Sequence, residues 1–374
     1  MLKLGMVGGG QGAFIGAVHR IAARLDGHWQ IVAGAFSSDP ARAHASAEEL
    51  GVAADRSYGS YAEMATAEAA RADGIDAVSI VTPNHLHAPV TKAFLDAGIA
   101  VICDKPLTAS LDEAEELAAV VKSAKAPFIL THNYTGYPMI RQARAMIAAG
   151  DLGKIRVVQA EYVQDWLTEA VEETGQKQAA WRTDPAQSGA GGAIGDIGTH
   201  AYNLAQFVTG QTPSHLAADL SSFVPGRRLD DNAHIMLRYA DGAKGMLWAS
   251  QVSVGNENGL RLRIFGDKGG LEWGQENPNY LRFTRHGDPV QTLTRGGAGA
   301  NYAAAAVSRI PGGHPEGYLE AFATLYTEAA AVVRGEKKTS DTLLPGIDAG
   351  LDGMRFVDAC VRSSQGNAGW VTLS

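Results

Sequence analysis

The acid–base candidates of this sequence are a carboxylate and an imidazole, Asp196 and His200, which stand four residues apart. On a helix this spacing lets the two side chains meet on one face. Histidine is the side chain whose proton affinity suits acid–base work near neutral pH, and a neighbouring carboxylate orients the ring and supports its charged form. The glycine-rich stretch 189–195 before them favours close access for a substrate. A capping aspartate and a core histidine are the alternative explanation.

Two other chemistries that such residues could serve are not supported by the sequence. No third or fourth ligand stands at convincing spacing, and Cys103 and Cys360 are isolated, so we expect no metal. The G-x-S-x-G turn of serine hydrolases does not occur.

A glycine-rich turn follows the first apolar run and consists of Gly8, Gly9, Gly10, Gln11, Gly12 and Ala13. Between a strand and a helix, G-x-G-x-x-A binds the pyrophosphate of a dinucleotide, because glycine lets the backbone approach the phosphates and the helix start presents free N–H groups. A turn without a ligand is the alternative. Gly12 or Gly16 would take the role of the third glycine.

The end of the second predicted strand lacks the acid that usually holds the adenosine ribose. Ser37 and Ser38 stand there, with Arg42 nearby. A missing acid beside an arginine suits the 2′-phosphate of NADP, but the two serines are equally explained as helix caps and Arg42 as a solvated side chain. NAD and NADP are therefore nearly even, with NAD slightly favoured.

The elements that must position these residues alternate in the first third of the chain. Strands are predicted at 2–7, 30–36, 77–81, 99–103 and 127–131, and helices at 15–25, 41–50, 60–71, 86–97 and 110–124. This alternation with short links predicts a doubly wound parallel sheet, a Rossmann domain over residues 1–131.

The pattern changes after residue 131. Helices are predicted at 139–149, 189–208, 317–334 and 346–364, strands at 155–166, 216–224, 233–239, 243–252, 260–265 and about 280–285, and a long loop at 296–317. Consecutive strands predict an α+β domain over 132–374 with a large, open, mostly antiparallel sheet. A bare sheet face near Trp248 and Trp273 would need covering.

Composition excludes several classes of protein. With 45% hydrophobic and 19% charged residues the chain is not disordered, and a net charge of −8 without a Lys/Arg block argues against nucleic acid or anionic membranes as partners. No apolar run approaches the roughly 20 residues that span a bilayer. Two cysteines and a start without a signal-peptide pattern predict a cytoplasmic protein.

Two further motifs follow strand ends: Thr82-Pro83-Asn84-His85-Leu86-His87 and Cys103-Asp104-Lys105-Pro106-Leu107. Together with the glycine turn and the segment 191–200, which ends in Asp-x-x-x-His, they resemble the Gfo/Idh/MocA oxidoreductases, the glucose–fructose oxidoreductase and inositol dehydrogenase family. The resemblance spans nearly the whole chain. It departs from the family at Asp104, where glutamate is common, and at Ser37, where the acid is missing.

The resemblance implies an NAD(P)-dependent enzyme that oxidises or reduces a secondary hydroxyl of a sugar, glycoside or polyol. Lys105 would polarise the hydroxyl oxygen and His200 would take its proton, with Asp196 orienting the imidazole. A surface lysine is the alternative for Lys105. The implied cofactor contacts are Gly8, Gly9, Gly10, Gln11, Gly12, Ala13, Ser37, Ser38, Arg42, Thr82, Pro83, Asn84, His87, Asp104 and Lys105.

Two alternatives to a dehydrogenase stay open. Some family members are glycosidases that oxidise a ring hydroxyl, eliminate the aglycone, add water and reduce the ring again, so that NAD is recycled. His132, Tyr134 and His314 are then additional acid–base candidates. A non-catalytic dinucleotide sensor is disfavoured, because Lys105, Asp196 and His200 are all present.

Further substrate contacts are expected from Tyr134, Trp166, Arg182 and His314, in addition to the catalytic residues. An aromatic face suits a sugar ring and an arginine suits hydroxyl or anionic groups, although each of these residues is also explained by packing or surface exposure. The resemblance also implies a homo-oligomer, a dimer or tetramer, formed through the C-terminal sheet.

Overall fold

Strands and helices alternate along the first third of the chain in the computed structural model, which describes residues 1–373. The elements are β1 Leu2–Gly8, α1 Phe14–Leu25, β2 Trp29–Ala35, α2 Pro40–Glu49, α3 Tyr61–Ala70, β3 Ala77–Val81, α4 His87–Asp96, β4 Ala100–Cys103, α5 Leu111–Ser123 and β5 Phe128–Leu130. All five strands are parallel, in the order β2-β1-β3-β4-β5. The predicted Rossmann sheet is confirmed.

Local sequence explains these elements. Every residue of β3 is buried, as a strand covered on both faces requires. The helices α2, α3 and α5 begin where Asp39, Ser60 and Ser110 accept a hydrogen bond from the backbone N–H three residues later.

The second part of the chain contains most of the antiparallel strands. Its elements are α6 Pro138–Ala148, β6 Ile155–Val163, α7 Lys177–Arg182, α8 Pro185–Ser188, a π-helical turn Ile194–Gly198, α9 Thr199–Thr209, β7 Pro213–Ser221, β8 Asn232–Tyr239, β9 Lys244–Ser250, β10 Gly259–Gly266, β11 Gly269–Gly274, β12 Tyr280–Arg285, β13 Gln291–Thr294, α10 Tyr302–Ala305, α11 Tyr318–Val333, α12 Ile347–Gln365 and β14 Val371–Thr372. The sheet order is β13-β12-β11-β10-β6-β9-β8-β7-β14. Only β6 and β9 pair in parallel among the described strands of this sheet, so the mostly antiparallel prediction is confirmed.

One face of this sheet is covered by helices and the other is open. Burial alternates along β8 and β10, and α6 and α9 pack on the covered side. Met236 and Met246 lie on the open side and are 53% and 57% exposed. Trp248 also lies there, stacked on His234. The expectation for Trp273 is wrong: it is buried on the covered side, where its ring contacts Tyr137, because its register on β11 pairs it with the buried Leu262.

The chain divides into two compact units. The first comprises Met1–Asn133 and Tyr318–Leu351, and the second comprises Tyr134–Gly317 with the chain from Asp352 onwards. In the first unit α11 packs on α1, and the Trp29 indole donates a hydrogen bond of 2.8 Å to the carbonyl of Tyr326. The domain bounds 1–131 and 132–374 stay a prediction. The strand–helix pattern did not predict that α11, from the last fifth of the chain, packs in the first unit.

No helix in residues 1–373 is both long and apolar enough to cross a membrane. The cytoplasmic location stays a prediction.

Candidate active site

The glycine turn between β1 and α1 has a backbone that side chains would disrupt. A Cβ on Gly16 would lie 2.4 Å from the Cα of Gly9, so Gly16 takes the role of the third glycine. Gly12 has φ +77° and open space around it. α1 also starts at Ala13 without a side-chain cap, unlike α2, α3 and α5. Free N–H groups beside a closely packed glycine turn fit the pyrophosphate of a dinucleotide.

Neighbouring side chains already occupy part of this turn. The backbone N–H of Gln11 donates to Ser46 Oγ at 3.0 Å, and its side-chain amide donates to Glu49 at 3.1 Å. Arg20 donates to the carbonyl of Gly9. The turn is therefore fixed to α1 and α2 before any ligand binds.

After the end of β2, Asp39 caps α2, and neither Ser37 nor Ser38 does. Its carboxylate accepts from the backbone N–H of Arg42 at 2.8 Å, while Ser37 Oγ accepts from the N–H of Asp39 at 3.1 Å. Ser38 and the Arg42 side chain are exposed. This arrangement leaves NAD and NADP undistinguished.

His87 joins the two motifs that follow β3 and β4. Its ring is buried, with Nδ1 2.7 Å from the carbonyl of Pro106 and Nε2 3.0 Å from that of Thr82. Burial lowers the pKa of His87 despite the opposing charge of nearby Asp104. Both partners are acceptors, so a neutral ring donates to only one of them.

The same strand ends carry the other predicted residues of the first unit. Asn84 is buried in a 3₁₀ turn and does not cap α4, and Pro83 precedes that turn. Lys105 follows Asp104 at the end of β4 and is partly exposed. The carboxyl ends of parallel strands are where ligands bind in open α/β sheets.

Asp104 is held by a buried polar group of the first unit. It accepts from Thr131 Oγ1 at 2.9 Å and lies 3.6 Å from His19 Nε2, whose Nδ1 is 2.8 Å from the Tyr326 hydroxyl. Burial by itself raises the pKa of Asp104, but the hydrogen bond and charge of His19, with Lys105 and His87, outweigh it and hold that pKa below its usual range.

In the second unit the structure brings Asp196 and Arg182 together. Asp196 lies in the π-helical turn Ile194–Gly198, and its Oδ2 accepts from Arg182 Nε at 3.2 Å and from Gln251 Nε2 at 2.9 Å. His200 follows in the first turn of α9 and is 8% exposed. π-Helical turns within helices occur frequently at functional sites.

Tyr134 packs on His200, with their ring centroids 4.8 Å apart and the rings nearly perpendicular. Its hydroxyl lies 2.6 Å from that of Tyr162, which donates to Asn258 Oδ1 at 2.7 Å. Burial raises the pKa of Tyr134 to about 12, although its hydrogen bond with Tyr162 acts against this shift. Tyr134 is therefore neutral and able to donate at physiological pH.

The same hydrogen-bond chain reaches Trp166. Gln164 donates to Asn258 Oδ1 at 2.8 Å and accepts from the Trp166 indole at 3.1 Å. His314 is not part of this group: it is exposed, its Nδ1 is 3.3 Å from the carbonyl of Pro311, and the described residues show no hydrogen bond or ring contact between it and His200.

Sequence reasoning missed Gln251, Tyr162 and Asn258. Gln251 follows β9, and Tyr162 lies on β6, the strand that pairs with β9 in parallel. Their only sequence signal is a polar residue at the end of an apolar strand. No group of three or more His, Cys, Asp or Glu within residues 1–373 is placed to hold a metal ion.

The fold and the glycine turn define an oxidoreductase with an NAD-binding Rossmann domain. Residues 2–134 match the oxidoreductase family with an NAD-binding Rossmann fold, and residues 140–272 match the Gfo/Idh/MocA C-terminal domain. The chain belongs to the Gfo/Idh/MocA family, so the resemblance seen in the sequence is confirmed.

Similar proteins cover nearly the whole chain. The uncharacterized oxidoreductase YfiI of Bacillus subtilis is 38% identical over 99% of this chain and 96% of its own. The crystal structure of an oxidoreductase from Sinorhizobium meliloti is 55% identical, with a TM-score of 0.91 over 99% of both chains. An inositol dehydrogenase homolog from Azotobacter vinelandii, complexed with NADH and myo-inositol, is 38% identical, with a TM-score of 0.92 over 99% of this chain and 97% of its own.

Proposed function

We propose that this protein is an NAD-dependent dehydrogenase that oxidises a secondary hydroxyl of a sugar, glycoside or polyol. The family supports an oxidoreductase, and the homolog complexed with NADH and myo-inositol supports both the preference for NAD over NADP and a polyhydroxylated substrate.

The catalytic proposal rests on one observation: hydrogen bonds fix the carboxylate of Asp196, four residues before the buried His200. Two N–H donors, from Arg182 and Gln251, converge on one oxygen of Asp196 and stabilise its negative charge. That charge favours an imidazolium four residues later. His200 acts as the base that accepts the proton of the substrate hydroxyl, and Asp196 stabilises the cation that results.

Lys105 and the glycine turn have complementary roles in this proposal. The Lys105 ammonium donates to the reacting oxygen and stabilises the negative charge that develops there as the proton leaves. The backbone of residues 8–13 and the strand-end residues Thr82, Pro83 and Asn84 hold the dinucleotide. Bound NAD supplies the acceptor for the hydride that leaves the carbon.

Substrate recognition is assigned to the polar and aromatic groups around His200. Tyr134, whose hydroxyl proton is donated to Tyr162, accepts a hydrogen bond from a substrate hydroxyl. Arg182 binds hydroxyl groups while it holds Asp196, and Trp166 offers an aromatic face to a sugar ring. His314 stays a proposed substrate contact that only the sequence supports.

The test is NAD reduction with a panel of myo-inositol, aldoses, anhydrosugars and glycosides, repeated with NADP. K105A, D196N and H200N should each lower kcat by about 10²-fold or more, and D196N and H200N should do so with an unchanged Kd for NAD. K125A, an exposed lysine, is the control and should match the wild type. Full turnover in K105A or H200N would refute the assignment.

The same panel decides between the dehydrogenase and a glycosidase. A chromogenic glycoside that is oxidised with stoichiometric NADH and no aglycone release supports the dehydrogenase. Aglycone release with catalytic NAD and no accumulating NADH supports the glycosidase.

We also propose a homo-oligomer, a dimer or tetramer, formed through the open sheet face. Exposed Met236 and Met246 beside Trp248 form an apolar surface of the kind that association covers. M246E should shift the sedimentation coefficient towards the monomer, whereas Y302E, at an 87% exposed residue outside the sheet, should not. A monomeric wild type would contradict this proposal.

A further inference from the structure

Asp230 binds the start of the helical segment that carries Asp196 and His200. Its Oδ1 accepts from the backbone N–H of Gly192 at 2.6 Å and its Oδ2 from that of Ile194 at 2.8 Å. Its main-chain carbonyl accepts from Ala193 N–H, also at 2.8 Å. One residue thus satisfies three consecutive N–H groups that helix geometry leaves without partners.

The approach between the two segments is close. A Cβ on Gly192 would lie 2.0 Å from the carbonyl oxygen of Asp230, so glycine is required there. The carbonyl of Gly192 accepts from the N–H of Asp196 at 2.8 Å. The position of the Asp196 backbone therefore depends directly on the residues that Asp230 holds.

A second connection reaches Asp196 through the adjacent residue. The carbonyl of Asp231 accepts from the backbone N–H of Gln251 at 2.8 Å, and the Gln251 side chain donates to Asp196 Oδ2. The dipeptide 230–231 thus fixes both the backbone of Asp196 and one of the two donors on its carboxylate.

The dipeptide is itself anchored. The buried Asp231 carboxylate accepts from the N–H groups of Phe223 and Val224 and from Arg227 Nη1 at 3.1 Å. Arg227 also pairs with Glu172 at 2.9 Å. Movement of Asp230 would require these bonds to break, so its position is set by the surrounding fold.

We propose that Asp230 is a positioning residue for the Asp196–His200 pair, which it serves by holding the helix start with a carboxylate. The effect on turnover rests on the dehydrogenase function proposed above. An Asn at this position has one acceptor oxygen and places an N–H₂ group against the other backbone N–H, so it cannot hold both Gly192 and Ile194.

A double-mutant cycle tests the proposal. D230N should lower kcat about 10- to 100-fold, because a displacement of roughly 1 Å at a reacting group has effects of this size. The Kd for NAD should not change. Because Asp230 acts through Asp196, D230N should have little further effect in a D196N background. Additive effects of the two substitutions would overturn the proposal.

A second readout does not depend on activity. The ring C–H resonance of His200, identified by its loss in H200N, is followed by NMR across the pH range. D230N should shift its titration midpoint to lower pH, and this shift should be absent when Asp196 is already Asn. If the wild type oxidised none of the substrates, the proposed function would be refuted. The His200 titration would still test the role of Asp230, because it does not depend on turnover.

The control is S110A, which removes the cap of α5 and so destabilises the protein at a place with no connection to Asp196. It should leave kcat and the His200 titration unchanged, which separates general destabilisation from positioning. D230E keeps the charge but moves the carboxylate by one methylene, and replaces D230N in the cycle if that variant does not fold. A His200 titration in D230N that equals that of S110A would also overturn the proposal.

Discussion

Replacing Gly16 by Ala should reverse the usual effect of this substitution in a helix. Gly16 lies in the first turn of α1, where Ala normally stabilises by up to about 0.5–1 kcal/mol. Here the new Cβ would lie 2.4 Å from the Cα of Gly9 and 2.7 Å from its oxygen, whereas ordinary contacts begin near 3.4 Å. The backbone of Gly9 must move by about 1 Å to restore contact distance.

The magnitude follows from this overlap. Overpacking costs typically about 1–3 kcal/mol, so after the helix gain G16A should lose about 1–2 kcal/mol of unfolding free energy. Displacement of Gly9 also moves the turn that is proposed to bind the dinucleotide, and we expect the Kd for NAD to rise at least about tenfold, which is 1.4 kcal/mol. Urea unfolding and calorimetric titration with NAD measure the two effects.

G353A is the matched control, because Gly353 lies inside α12 and nothing lies within 4 Å of the position that its Cβ would take. It should stabilise the protein by about 0.5–1 kcal/mol and leave NAD binding unchanged. If G16A were as stable as the wild type and bound NAD equally well, the close packing inferred for the glycine turn would be refuted.

Three further substitutions test other buried groups. R295M should destabilise by about 3–5 kcal/mol in urea unfolding, because the Glu316 carboxylate, 1% exposed, loses the guanidinium at 2.9 Å and keeps Arg309 at 3.9 Å. R295M/E316Q should be more stable than R295M alone. H87F should cost about 1–3 kcal/mol, because it unpairs the one carbonyl, of Thr82 or Pro106, to which the neutral ring donates; equal stability would contradict this hydrogen bond. Burial lowers the pKa of His132 to about 3 from 6.5. As pH drops, the unfolded chain therefore binds the proton first, and the free energy of unfolding falls by about 2 kcal/mol between pH 6.5 and about pH 5. H132Q should lack this pH dependence.

Much of the Rossmann unit could be predicted because its signals are local. β3 is an uninterrupted apolar run, the first turn is glycine-rich, and α2 starts at an Asp-Pro pair, so each pattern lies within a few residues. The predicted and observed bounds of these elements differ by a few residues at most.

The second unit was harder to predict because its organisation is non-local. β11 Gly269–Gly274 was missed since three glycines in six residues hide its alternation, and the parallel pairing of β6 with β9 joins strands far apart in the sequence. Gln251 follows β9 and contacts Asp196 across a separation of 55 residues, so this contact has no sequence signal of its own. Asp196 and His200 could be proposed as a pair from the sequence because a spacing of four residues on a helix is a local relation.

The discontinuity of the first unit has a consequence for the order in which the molecule is made. Trp29 and His19 are covered by Phe322 and Tyr326, residues that leave the ribosome only after nearly the whole of the second unit has been synthesised. Until then the nascent dinucleotide-binding sheet keeps an uncovered apolar surface, and a fragment that ends at Asn133 keeps it permanently. The nucleotide-binding unit is thus encoded first but completed only after most of the second unit has been made, which ties its maturation to the synthesis of that unit.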